Sequence, residues 1–125
     1  MGQLPLNNEI GGMKKMELTR TEVFRAMNAM DVPNVRDCEG MMILPVASHT
    51  HTYEDQEGKE HAVLVIKDGK TGSLYKTEVQ AFIKKYLSYE EAFGTLPDEE
   101  KPLMVIKLIT SKKGNKYVSF DIQDQ

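Results

Sequence analysis

The stretch LMVIKLITSKKGNKYVSFDI, residues 103–122, governs how the rest of this chain is read. Two apolar runs flank the turn Ser111-Lys112-Lys113-Gly114-Asn115-Lys116, and Tyr117 stands directly beyond it. In the second run Val118, Phe120 and Ile122 alternate with Tyr117, Ser119 and Asp121, so a core-facing first trio turns Tyr117 outward beside the lysines. A basic, glycine-bearing turn next to an outward aromatic ring is a shape that holds phosphate and stacks on a base. Lysines at a sheet edge equally discourage aggregation, so the hairpin takes its meaning from what precedes it.

Immediately upstream lies an acidic loop, Leu96 to Pro102, and before it a helix predicted over Thr77–Phe93. Its apolar residues Val79, Phe82, Ile83, Tyr86 and Leu87 have the i, i+3, i+4, i+7, i+8 spacing of a helix lying on a core. Thr77 with Gln80 reads as a capping box, and Gly94 as a C-terminal stop. Three strands are predicted before that helix: Met41 to Tyr53, His61 to Lys67 and Ser73 to Lys76. Pro45 marks an edge or a bulge in the first. The turns between them are Glu57-Gly58-Lys59 and Asp68-Gly69-Lys70-Thr71-Gly72. Farther upstream, Thr19 and Glu22 form another capping box and Leu18 with Val23 a hydrophobic staple. Val23, Met27 and Met30 share one face of this helix with Phe24 adjoining, and Asp31-Val32-Pro33 ends it.

The order is therefore a helix followed by β-β-β-α-β-β, and the expected class is all-β with one capping helix. It is the order of the OB-fold, a five-stranded, partly open barrel that binds oligonucleotides on strands 2–3 and on the loops joining strands 1–2 and 4–5. In that barrel the Thr77–Phe93 helix plugs the floor and the Lys112–Lys116 turn is the 4–5 loop. The competing arrangement is a flatter α+β sheet with helices on one face. The expected division is a flexible leader over residues 1–17, a helix and linker over 18–36, and an OB-fold domain over 37–125.

Composition narrows the function classes. The 125 residues suffice for one domain, and no apolar run approaches the roughly 20 residues of a membrane span. The first twelve residues lack the basic and continuous apolar regions of a secretory signal, and the single Cys38 has no internal partner, so a reducing cytoplasm is expected. The net charge of -3 does not favour a nucleic-acid binder, but the charge is unevenly spread. Acidic residues gather at 54–57, 90–91 and 98–100, whereas Lys107, Lys112, Lys113 and Lys116 sit in the last hairpin and Lys67, Lys70 and Lys76 around an earlier one.

The candidate nucleic-acid-binding set follows. Tyr53, Tyr75 and Tyr117 are the stacking candidates, with Tyr75 turned outward opposite Leu74. His49 and His51 share a strand face and can stack or meet phosphate, while Lys67, Lys70, Lys76, Lys107, Lys112, Lys113, Asn115 and Lys116 are set for the backbone. The two histidines with Asp55 lack a convincing third ligand for a metal. Gly69-Lys70-Thr71 fails as a phosphate loop because the earlier glycine position is Leu64 and no helix follows. Cys38 lies between Asp37 and Glu39, which hold its thiol protonated rather than activated. No catalytic set and no cofactor are expected. Phe24, Met27 and Met30 need a partner, either their own barrel or a second copy of the chain.

From Glu39 to Gln123 the chain resembles the single-stranded DNA-binding proteins of the phi29-like phages, small tailed phages that replicate linear DNA by protein priming. The carriers are Glu39-Gly40 before the long first strand, Tyr53-Glu54-Asp55 with the following glycine and Glu60, Gly72-Ser73-Leu74-Tyr75, and Thr110-Ser111-Lys112-Lys113-Gly114-Asn115 before a hydrophobic last strand. The resemblance implies a non-sequence-specific binder that coats and protects displaced single strands in the cytoplasm of an infected bacterium. Tyrosines bind the strand in that family, and members with N-terminal extensions self-associate, so an oligomer through the leading helix is implied. The alternative function is an OB-like interaction module for a replication or host protein. Nothing in the sequence reads a 2′-hydroxyl, so RNA stands as a variant ligand.

Overall fold

The computed structural model describes residues 17–28 and 31–125. Helix α1 spans Arg20–Asn28, and its predicted capping box is in place: the Thr19 amide donates to Glu22 Oε1 at 3.0 Å and the Glu22 amide to Thr19 Oγ1 at 3.1 Å. Six strands follow: β1 (Met42–Ile43), β2 (Pro45–Glu54), β3 (Glu60–Asp68), β4 (Leu74–Thr77), β5 (Leu103–Thr110) and β6 (Lys116–Gln123). Helix α2, Gln80–Phe93, stands between β4 and β5. No described helix is long and apolar enough to cross a membrane.

The strands form two three-stranded antiparallel sheets, β2-β3-β4 and β1-β5-β6. The expected five-stranded OB barrel is therefore corrected: neither sheet closes on the other. Two local features account for this. The long first strand divides at Leu44, and the β2–β3 register shifts between Pro45 and Ala47, where proline lacks the amide a ladder needs. The outer edge of β4, where a closing strand would have to pair, is taken by the linker: the Lys76 amide donates to the Pro33 carbonyl at 3.0 Å and Asn34 bridges Lys76 in parallel. With that edge occupied, β6 pairs with β5 alone.

One core lies between the sheets and α2. Leu64 and Ile66 of β3, Tyr75 of β4, Met104 and Ile106 of β5, and Val118 and Phe120 of β6 pack with Phe82, Ile83, Tyr86 and Tyr89 of α2. The Phe82 and Phe120 rings meet at 5.1 Å in a tilted pair. Two apolar assignments are corrected: Leu87 and Ile122 are exposed, Tyr89 taking the inward place on α2. The helix also begins later than expected. Thr77 is the buried last residue of β4, paired with Leu64, and its hydroxyl accepts the Val79 amide at 3.1 Å, so it caps no helix, and α2 starts at Gln80 without a side-chain cap.

Candidate nucleic-acid interface

Antiparallel register fixes which residues share a face. Tyr53 lies opposite His61, His51 opposite Val63, His49 opposite Val65, and Ala47 opposite Lys67, with Lys76 beyond Val65 and Leu74 beyond Lys67. This is the face of the β2-β3-β4 sheet turned away from Leu64, Ile66 and Tyr75. It carries a row of four near-parallel rings. His49 and His51 are 6.5 Å apart between centroids, His51 and Tyr53 6.2 Å, and Tyr53 and His61 5.2 Å, with interplanar angles of 25°, 20° and 18°.

Two carboxylates hold the far end of this row. Tyr53, 39% exposed, donates its hydroxyl to Glu78 Oε1 at 3.1 Å. That contact, followed by desolvation, raises the phenol's pKa. His61 Nε2 meets Asp55 Oδ2 at 2.8 Å, and Asp55 Oδ1 accepts the Glu57 and Lys59 amides, each at 2.9 Å. The His61 contact, with those amides behind it, lowers the Asp55 carboxyl below its usual range. At the near end Lys67 is paired with Glu22 of α1 at 2.6 Å, and the contact holds that carboxyl below its usual range as well.

The second cluster is the β5–β6 turn. Gly114 has φ +88°, a left-handed value that suits glycine. The Gly114 amide donates to the Ser111 carbonyl at 2.9 Å and the Asn115 amide to Ser111 Oγ at 3.2 Å, so Asn115 shapes the turn through its backbone. Lys112, Lys113 and Lys116 are exposed there and pair with no described carboxylate. Tyr117, 44% exposed, lies opposite Ile109 and makes no ring contact with any described residue.

The sequence candidates thus separate into two groups and several corrections. His49, His51 and Tyr53 come together as expected, with Lys67 and Lys76 on their face; Tyr117 keeps its lysines. Tyr75 is corrected: it is 7% exposed, a core residue opposite Ile66, while Leu74 takes the outward side. Lys107 is committed to Asp121 at 2.8 Å. Lys70 is exposed on a turn organised by buried Asp68, whose carboxylate accepts the Leu44 amide at 3.0 Å, the Lys70 amide at 3.1 Å and the Thr71 hydroxyl at 3.0 Å. On α1, Phe24 is 70% exposed and Met27 half-buried; Met30 and residues 1–16 of the leader lie outside the described residues. Among the described residues no group of three or more histidine, cysteine or carboxylate side chains is placed to hold a metal.

His61 and Glu78 are absent from the sequence candidates, and Asp55 enters them only beside His49 and His51 as a metal candidate. The usable signal was the short turn between Glu54 and Glu60, which carries the alternation of β2 across to β3 and puts His61 beside Tyr53. Comparison with protein-family models, curated proteins and solved structures found no match to this chain.

Proposed function

We propose that this chain binds single-stranded nucleic acid without reading its sequence, coating displaced DNA during phage replication in a bacterial cytoplasm. The observation that carries the reading is the open row His49-His51-Tyr53-His61. Four near-parallel rings on one sheet face at spacings near 6 Å make a continuous aromatic strip for an extended strand, and aromatic stacking tolerates any base. Lys76 on the same face and the Lys112, Lys113 and Lys116 turn supply cations for the backbone. Clamping by Asp55 and Glu78 reduces the rotamer freedom that binding would otherwise remove, while their charge disfavours phosphate at that end. Bases rather than phosphates belong over Tyr53 and His61.

Titration with a thymidine oligomer at two salt concentrations, followed by tyrosine fluorescence and gel shift, tests the reading. It expects affinity that falls with salt at a log–log slope of about -0.7 per phosphate contacted and a clear preference over duplex DNA. Equal affinity for a uridine oligomer moves the ligand class to single strands in general. Unchanged fluorescence with no shift at low salt ends it.

A second reading, a protein-interaction module, is favoured by one observation: Phe24 exposes its ring on α1 while the helix buries only Ala26. The same helix is the proposed contact in a homo-oligomer. If Phe24→Ser changes the sedimentation of the chain or releases a co-purifying protein while oligonucleotide affinity is unchanged, α1 serves protein contacts.

A further inference from the structure

The open row stops where α1 begins. Glu17, just before the helix, bridges Ser48 at the β2 edge; Glu22 pairs with Lys67 on β3; α1 lies against β4; and Pro33 and Asn34 reach the outer edge of β4 at Lys76. Residues 17–28 therefore run from the β2 edge past Lys67 of β3 to β4, and residues 33–34 lie along the outer β4 edge. On the face that carries the rings Ala47, Val63 and Val65 are covered, His49 and His61 are half-covered, and His51 and Tyr53 are exposed.

Helix α1 is lightly held. Of its nine residues only Ala26 is buried, its largest apolar side chain, Phe24, faces solvent, and its capping box is internal to its own first turn. Among the described residues its ion pair with the sheet is Glu22–Lys67, an anionic oxygen set on a lysine that lies opposite Ala47, two residues along β2 from His49. A phosphate oxygen makes the same kind of charge-assisted contact.

Resting on the single-strand reading above, we infer that α1 is an autoinhibitory strap: the Glu22 carboxylate holds Lys67 in the place of a backbone phosphate, and a bound single strand displaces it. The displacement trades one partly exposed ion pair for another and uncovers the small apolar contacts of Ala26, Ala47 and Val65. It lengthens the usable row past His49 towards Lys67.

Glu22→Gln removes the competing charge and leaves an amide for the Thr19 capping contacts. The variant is expected to bind a thymidine oligomer up to about fivefold more tightly than the parent, the ceiling set by a surface ion pair. Its log–log salt slope steepens by about 0.7, one further phosphate. Adding Lys67→Ala to the variant abolishes both gains. A second readout uses the absence of tryptophan from the sequence: Phe24→Trp places a single indole on α1, and its emission and anisotropy are expected to change on titration with the oligomer. Parent binding with Glu22→Gln unchanged in affinity and slope, and a silent indole, overturns the strap while leaving the single-strand reading intact. Binding by neither parent nor Glu22→Gln overturns both.

Discussion

Tyr53 on β2 reaches over β3 to place its hydroxyl 3.1 Å from Glu78, the residue that follows β4. The bond pins the ring beside His61 while the residue stays 39% exposed. Tyr53→Leu is expected to weaken oligonucleotide binding by about 1–3 kcal/mol, the value of one base–aromatic stack. Tyr53→Phe keeps the ring and loses one neutral-to-charged hydrogen bond, so its loss is expected to be clearly smaller. Fluorescence anisotropy with a labelled thymidine oligomer measures both. Equal losses would assign the effect to the hydroxyl rather than to stacking.

Tyr75 behaves in the opposite way. It sits among Ile66 and the α2 side chains, so Tyr75→Ala opens a cavity and is expected to cost about 3–5 kcal/mol of stability. Tyr75→Phe is expected to leave oligonucleotide affinity unchanged. Urea unfolding and the same anisotropy titration separate the two effects; a loss of affinity in Tyr75→Phe at unchanged stability would return this residue to the interface.

These two tyrosines show what the sequence makes legible. Element order and the face of long elements follow from periodicity: the capping box at Thr19, the inward set of α2 apart from one position, and the Lys112–Lys116 turn stand where the pattern puts them. β4 has four residues, too few for alternation to say which side is inward, and only its pairing with β3 turns Tyr75 in and Leu74 out. Barrel closure was equally hidden, because it depends on which backbone reaches the β4 edge, and Pro33 and Asn34 carry no periodic signal. The ring row was half legible: His49, His51 and Tyr53 alternate along one strand, whereas His61 joins them across a turn. Glu78 is an ordinary surface carboxylate in sequence and Glu22 a capping residue, and only long-range pairing joins them to Tyr53 and Lys67.

The Asp55 contacts make the β2–β3 turn sensitive to acid. Its folded pKa lies below the ordinary value, so the stabilisation is fully present above the ordinary carboxylate range and is lost as pH falls through the lowered folded pKa. Asp55→Asn cannot ionise, so its thermal midpoint is expected to fall less steeply than the parent's in that acidic window. Melting curves collected downward from neutral pH check this. Parallel acid limbs in parent and variant would show that Asp55 contributes nothing to them.

At the other cluster, Lys112, Lys113 and Lys116 are exposed and unpaired with described carboxylates. Changing all three to glutamate is expected to leave the melting midpoint nearly constant. If each contacts a phosphate, the salt slope of oligonucleotide binding becomes shallower by about 0.7 per lysine. An unchanged slope would place the strand elsewhere and leave these lysines as edge protection.

Gly69 fixes where the first long strand changes sheets. Its amide donates to the Leu44 carbonyl at 2.7 Å, drawing the β3–β4 turn against the segment that leaves β1 for β2. A Cβ at this position would overlap Val46 Cγ1 and come within 3.4 Å of Leu44 Cδ2. Gly69→Ala is therefore expected to destabilise the fold by about 1–3 kcal/mol through overpacking. The urea midpoint should fall with an unchanged slope, the sign of altered stability without altered compactness. Because the clash is with one side chain, Val46→Ala in the same chain should recover part of the loss, giving a double variant more stable than the two single changes predict. Strict additivity would mean that the turn relieves the overlap by backbone movement, and that Val46 is not what requires glycine there.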